Sequence, residues 1–459
     1  MRFCTTLFLF AAAALAQENL DFERGLDGWT IENGARTTGT AGTCTPKVVD
    51  GALHFRGEPD FVAWNMAMRG APCAGGQRVL LQVAAKCKNL RRERRQYPNA
   101  NGVLVFNDAK GKRLGIVTTP IVLDDRDWVD LHVHAIAPPG TTSVRFGVFA
   151  SMSGDCWFDD VRLTVRDADD RTFALEALRL HLDRTYPFWD LPGKPKPKDL
   201  IVDPSLDIVA GAQKMLAPLK DVHVTIKTPK GFVGTFQATP PVRNWNAAAI
   251  QERVTRLLHS GDGHLVAQMG TVGYIALGNF TKGLDRVQDA IDKLLPVARV
   301  VVIDLRWNSG GDENLAWPIA RRFLKTEVRY SSVQVRDPSR AGLTGFGPPA
   351  ARTIGPLPKP YTRRVVVLQG PWCMSSTEGF LLVMRAAGHQ TVGMRTRGAS
   401  ANPRPFPLID GVEAWTSTWR QMDLTGKGIE GVGIAPAVEV SGSHLKRDPT
   451  LEKALELIR

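Results

Sequence analysis

At 459 residues the chain is too long for one ordinary core, so two domains are expected. The formal charge is +12, yet the basic residues are mostly scattered and no nucleic-acid-reading motif accompanies them, which excludes nucleic acid as a partner class. No stretch beyond the N-terminus reaches the ~18 apolar residues that a membrane span needs. The chain opens MRFCTTLFLFAAAALAQ. Arg2 is a charged start, residues 7–15 are apolar, and Ala14-Leu15-Ala16 is a small-x-small cleavage site. Residues 1–16 therefore read as a signal peptide, with Gln17 as the first mature residue and a secreted or periplasmic location. Cys4 is too early to be a lipidated cysteine at the cleavage point.

Residues 17–165 read as an all-β sandwich. Short runs such as Val79–Val83, Val103–Phe106, Val129–His134 and Ser143–Phe149 sit between Gly, Asn, Asp and Pro clusters. The opening Asn19–Glu23 with Gly28-Trp29, and the closing Trp157–Leu163, resemble the ends of jelly-roll, carbohydrate-binding-like modules. That resemblance implies a glycan contact, for which Trp29, Trp64 and Trp157 are the candidate stacking residues against a reading as core. Cys44, Cys73, Cys87 and Cys156 all precede residue 160, and four cysteines in an exported region predict two disulfides of undetermined pairing. Lys86, Lys88, Arg91, Arg92, Arg94 and Arg95 form the one basic cluster, read as a solvated loop.

Val165–Arg171 is the expected join. Beyond it, helices are predicted over 172–184, 205–219, 247–259, 284–295 and 377–387, and buried strands over 274–277, 300–305 and 364–368. Alternating strands and helices argue an α/β domain with a partly parallel sheet over 172–445, and 446–459 reads as a C-terminal helix. Gly345–Pro360 reads as a long Pro/Gly-rich loop. Asn279-Phe280-Thr281 is a glycosylation sequon. No metal-binding signature and no phosphate loop appear; His132 and His134 alone are too weak a pair, and no cofactor is implied.

The chemistry centres on Pro371-Trp372-Cys373-Met374-Ser375-Ser376-Thr377-Glu378. Ser375 lies between a strand and a helix. Read plainly, Ser375-Ser376-Thr377-Glu378 is a capping box, with the serine side chain bonding the helix N-terminus and Glu378 reaching back. The same turn would also expose a nucleophile beside the free N–H groups of the first helical turn. A second turn, Asp304-Leu305-Arg306-Trp307-Asn308-Ser309-Gly310-Gly311-Asp312, ends another strand, and its glycines permit close backbone approach. Asp304 and Arg306 read as a structural ion pair beneath it. Cys373 reads as a packed thiol.

These two turns, with Val392–Pro403 and Gly428-Ile429-Glu430-Gly431-Val432-Gly433-Ile434-Ala435-Pro436, resemble the S41 serine peptidases, the tail-specific and tricorn-like families. The resemblance implies peptide-bond hydrolysis through an acyl-enzyme, acting on a peptide or protein. In one branch the base is a lysine in the glycine-rich turn; here Met394, Arg395, Arg397 and Ser400 occupy it, and arginine does not deprotonate. The other branch implies His223 as base, in Asp221-Val222-His223, and Glu430 as orienting acid. Oxyanion donors would be the backbone N–H groups of Ser376 and of Gly310 or Gly311, with Gly310 preferred by motif position. About fifty residues separate His223 from Leu277, too few for the PDZ domain of many tail-specific proteases. Departures at Cys373, Met394 and Ala437 leave one alternative: a catalytically inactive S41-like protein that binds peptides or glycans.

Overall fold

The computed structural model describes residues 20–35, 46–57, 63–91, 99–122, 124–151, 153–336 and 345–458. The signal-like segment 1–16, Cys44, and Arg92, Arg94 and Arg95 lie outside the described residues. By internal contact the first unit ends at His181 and the second begins at Leu182.

In the first unit strands turn alternate residues inward where one face is buried, as with Val79, Leu81, Val83, Ala85 and Cys87. Its described strands are β1 (Thr30–Ala35), β2 (Lys47–Val49), β3 (Ala52–Gly57), β4 (Ala63–Pro72), β5 (Arg78–Arg91), β6 (Asn99–Asn107), β7 (Arg113–Thr118), β8 (Arg126–Ile136), β9 (Ser143–Ser151) and β10 (Ser153–Arg166). They form two five-stranded sheets, ordered β1-β4-β9-β6-β7 and β2-β3-β10-β5-β8, and every pairing is antiparallel. Leu53, Phe55 and Phe158 of one sheet share a core with Leu104, Phe146 and Val148 of the other. Along β10, Cys156 and Phe158 are buried, then Val161 and Leu163. The change of parity falls where the register with β5 shifts between Asp159 and Arg162, so the extra residue re-aims the inward face.

One expectation for this unit is corrected. No disulfide joins the described cysteines: Cys73, Cys87 and Cys156 are buried free thiols. Cys87 and Cys156 stand opposite each other on β5 and β10 with sulfurs 3.2 Å apart. Of the three tryptophans, Trp29 takes the core place expected for it, while Trp64 and Trp157 are half-buried. Trp29 belongs to the core, stacked on Phe22, and Trp157 is stacked by His54 at 4.6 Å between ring centres.

The chain continues through α1 (Arg171–Thr185), α2 (Ile208–Leu216), β11 (Thr225–Thr228), β12 (Gly231–Gly234), α3 (Ala247–Gln251), β13 (Arg256–Gly261), β14 (His264–Met269), β15 (Val272–Ala276) and α4 (Leu284–Leu294). Then come β16 (Val300–Asp304), α5 (Glu313–Ala320), β17 (Val328–Val335), β18 (Ala350–Ile354), β19 (Arg364–Gln369), α6 (Ser376–Ala386), β20 (Gln390–Gly393), β21 (Arg404–Pro407), β22 (Glu413–Thr416), β23 (Trp419–Met422), β24 (Val438–Glu439) and α7 (Pro449–Leu457). Two predictions differ. The helix expected over 247–259 stops at Gln251, and Arg256–Gly261 instead pairs antiparallel with β14, satisfying backbone groups that a helix would have left open on that strand. The loop expected over Gly345–Pro360 contains β18, paired with β17.

The main sheet of the second unit has the order β13-β14-β15-β16-β19-β20-β24. From β15 onward its neighbours are parallel. A parallel strand covered on both faces must be apolar at every position, which is why β16 reads Val-Val-Val-Ile-Asp and is buried throughout. Val301 and Ile303 face a core with Val287, Ile291 and Phe380 of the helices; Val302 faces the opposite core with Val366, Leu368 and Leu451. Because β16 and β19 are adjacent and parallel, the turns that leave their C-terminal ends lie side by side.

Beneath those turns sits a fully buried polar knot. The Arg306 guanidinium donates to Asp304 at 2.6 Å and to Asp448 at 2.6 Å, and to the Asn244 carbonyl. Tyr274 donates to Asp304, and Asp448 caps the N-terminus of α7. Burial alone would lower the Arg306 pKa, but the two carboxylates outweigh it and hold it above its ordinary value. Replacing Arg306 by Met would strand two buried carboxylates. Arg306→Met is expected to cost about 3–5 kcal/mol, read from urea unfolding. A loss below ~1 kcal/mol would show that the knot does not bind the sheet to α7.

Candidate active site

Ser375 answers the capping question by its backbone. It adopts φ 57° and ψ −130°, a region that L-residues avoid, and its side chain makes no cap hydrogen bond to α6. Such a conformation costs about 1–3 kcal/mol and persists only where the surroundings fix it. Here Ser375 N–H donates to the Ala399 carbonyl, and the Ser375 carbonyl accepts from Glu378 N–H at 2.8 Å. No described residue hydrogen-bonds the Ser375 hydroxyl. The serine half of the predicted capping box is therefore not formed.

Glu378 is used elsewhere. It is fully buried and accepts from Thr396 Oγ1 at 2.5 Å, Gly398 N–H at 2.8 Å and Ala399 N–H at 2.9 Å. Burial pushes its carboxyl up to about 7, although these donors pull the other way. The 373–375 segment is tied to the same turn, since Arg397 N–H donates to the Cys373 carbonyl. Cys373 is buried, donating to the Leu305 carbonyl, and burial raises its thiol pKa.

The Asn308–Gly311 turn clasps the serine turn. Asn308 Oδ1 accepts from Thr377 Oγ1 at 2.6 Å and from Gly310 N–H at 2.8 Å, and Ser376 Oγ donates to the Gly311 carbonyl. The Gly310 N–H is thus occupied. The N–H groups of Gly311 and Ser376 have no partner among the described residues. A Cβ on Gly310 would lie 2.7 Å from Ser375 Cβ, and φ there is +100°.

His223 is buried, and both ring nitrogens are without a hydrogen-bond partner. The carboxylate beside it is Asp221, 3.9 Å from Nδ1. Asp221 is otherwise engaged, accepting from His223 backbone N–H at 2.8 Å and Ser417 Oγ at 2.7 Å. Burial lowers the His223 pKa, Asp221 opposes this, and Arg397 adds to it. Glu430 accepts from Ser400 N–H through Oε2 at 2.9 Å. Burial, then the Asp221 and Glu378 carboxylates, push the Glu430 pKa well up. No hydrogen bond or ion pair joins His223 to Ser375 or to Glu430. What unites the three is the 396–400 segment: it bonds Ser375, lies within electrostatic reach of His223, and holds Glu430.

Residues 271–440 match the family model described as Peptidase family S41. That segment of the chain is similar to the S41 peptidases. No curated protein sequence matches this chain. Among solved structures, a candidate peptidase from Parabacteroides merdae superposes on it with a TM-score of 0.53 and 23% identity, covering 63% of this chain and 96% of that one. At that identity the likeness shows the fold. The photosystem II D1 C-terminal processing protease has a TM-score of 0.31 and 20% identity, with 46% of this chain and 53% of that one covered. The tricorn protease has a TM-score of 0.31 and 20% identity, with 41% and 18% covered. Ser375, Glu378, Glu430, Gly310 and Gly311 fall inside the matched S41 segment; Asp221 and His223 precede it. The S41 assignment supports a peptidase-type function. Among the described residues no helix is long and apolar enough to cross a membrane.

Sequence reasoning missed Asn308 as the clasp and Glu378 as the organiser of the 396–399 turn. The spacing Ser375–Glu378 carried a signal, but a capping box explains it equally well. Gly310→Ala is expected to destabilise the S41 domain by about 1–3 kcal/mol, from positive φ and the clash with Ser375. Urea unfolding measures it, and an unchanged midpoint would disprove the close contact of the two turns.

Proposed function

We propose that the chain is a serine peptidase in which Ser375 attacks the peptide carbonyl and His223 accepts its proton, then returns it to the leaving amine. The observation that carries this reading is the strained Ser375 backbone, held with its hydroxyl uncommitted beside unpaired N–H groups. A residue that merely capped α6 would need no such strain. Ser376 and Gly311 N–H are the oxyanion donors; Gly310 serves the turn instead. Glu430 is the orienting acid. Asp221 has its two oxygens committed to His223 N–H and Ser417, whereas Glu430 Oε1 has no hydrogen bond to a described residue. Catalytic hydrogen bonds often tighten only with substrate bound, so His223 closes on Ser375 and Glu430 in the Michaelis complex. The acyl-enzyme forms on Ser375 Oγ and is hydrolysed by water activated by the same imidazole. The signal-like segment 1–16 supports action outside the cytoplasm.

Labelling with a serine-directed fluorophosphonate, followed by peptide mapping, tests the mechanism. Wild type is expected to carry label on Ser375, while Ser375→Ala and His223→Ala lose it by at least about a hundredfold. Because the His223 pKa is lowered, the imidazole stays neutral and basic into mildly acidic solution. The acid limb of the labelling rate is therefore expected below 6.5, the ordinary histidine value. Absence of label, under conditions that label a known serine peptidase, would favour a binding protein on this scaffold; the unpaired His223 ring is the observation on that side.

A further inference from the structure

We propose that Arg397, together with Lys194, forms a carboxylate-binding subsite beside Ser375, so that the preferred peptide presents a carboxylate next to the bond to be cut. This rests on the peptidase reading above and adds its substrate class. A cavity of about 690 Å³ is lined by Lys194, Lys220, Val222, Arg397, Ala399 and Glu430, among others. It adjoins the nucleophile turn directly, because Ala399 bonds Ser375 N–H and Arg397 N–H bonds the Cys373 carbonyl.

Arg397 is the anomaly in this cavity. It is half-buried, always charged, and its guanidinium meets no carboxylate and no hydrogen-bond acceptor among the described residues. Three arginines of the second unit that are equally or more buried are engaged: Arg306 by two aspartates, Arg352 by Glu313, Arg420 by Asp190. A half-buried guanidinium left open in a cavity wall presents a two-pronged donor that matches a carboxylate. Lys194 supplies a second cation; its Nζ holds the Leu219 carbonyl, which leaves further N–H donors. The only acidic residue of the lining is Glu430, against the three cations Lys194, Lys220 and Arg397. The wall is therefore positive overall. A substrate carboxylate on Arg397 would also remove the repulsion that Arg397 exerts on an imidazolium at His223, the charge that forms during acyl transfer.

The carboxylate has two sources, an acidic side chain or a free peptide C-terminus, and the test separates them. Alanine-based hexapeptides carry a single Glu or Gln at each position in turn, with the C-terminus free or amidated. Binding is measured by calorimetry on Ser375→Ala, which needs no turnover, and on Ser375→Ala with Arg397→Gln. A Glu-over-Gln preference of about tenfold or more at one position, lost in Arg397→Gln, establishes the side-chain source. A preference confined to free over amidated termini, equally lost, establishes the terminal source. Equal binding of all peptides, undetectable binding of all, or a preference that survives Arg397→Gln overturns the proposal. Should Arg397→Gln fail to fold, Arg397→Lys keeps the charge without the fork and is expected to weaken the preference part-way; an unweakened preference then counts against Arg397. The two readings fail separately. Fluorophosphonate label on Ser375 without any carboxylate preference leaves the peptidase and removes the subsite. Carboxylate binding without label leaves the subsite and removes the peptidase.

Discussion

A buried glutamate holds the candidate site together. Glu378 stands on the first turn of α6, where a carboxylate is favoured by the helix dipole, but its three donors come from the 396–399 turn. That turn in turn supplies the carbonyl that takes Ser375 N–H, the N–H that meets the Cys373 carbonyl, and the residue next to the Ser400 N–H that binds Glu430. An uncompensated carboxylate in such a place would be costly; with three donors it becomes a rigid post. Ser375, Arg397 and Glu430 owe their relative positions to it.

The strain at Ser375 is sustained by the same arrangement. Its N–H and carbonyl are both bonded, and the Asn308–Gly311 turn presses from the other side, with Gly310 too close for any Cβ. This clasp exists because β16 and β19 are adjacent parallel strands whose C-terminal turns emerge together. The Arg306 knot below fixes those turns against Asn244 and α7. The sheet thus delivers two loops to one place, and buried polar bonds convert proximity into geometry.

The β-sandwich obeys a simpler logic. Its core is apolar side chains from two antiparallel sheets. Cys87 and Cys156 face each other across β5 and β10 as thiols. Compartment and number argue for pairing such cysteines. Register placed two of them together, and neither consideration fixes the sulfur chemistry.

Periodicity alone determined much of this protein. The antiparallel sandwich, the apolar run of β16, and the helices α4 and α6 follow from which residues must leave water, a local property of the string. The motif order around Asp304, Ser375 and Glu430 also carried the resemblance to the S41 peptidases. What periodicity could not decide was choice among satisfiable partners. Glu378 fits a capping box on spacing, but the folded chain also gives it three donors from residues 396–399. Arg256–Gly261 has a helical pattern, yet the open edge of β14 claims it. Motif position preferred Gly310 as the oxyanion donor, but Asn308 takes the Gly310 N–H and leaves that of Gly311. Arg397 is one basic residue among many until the fold denies it a partner. Each of these turns on hydrogen bonds between segments distant in the chain, whose energies depend on orientation and burial that only the tertiary structure sets.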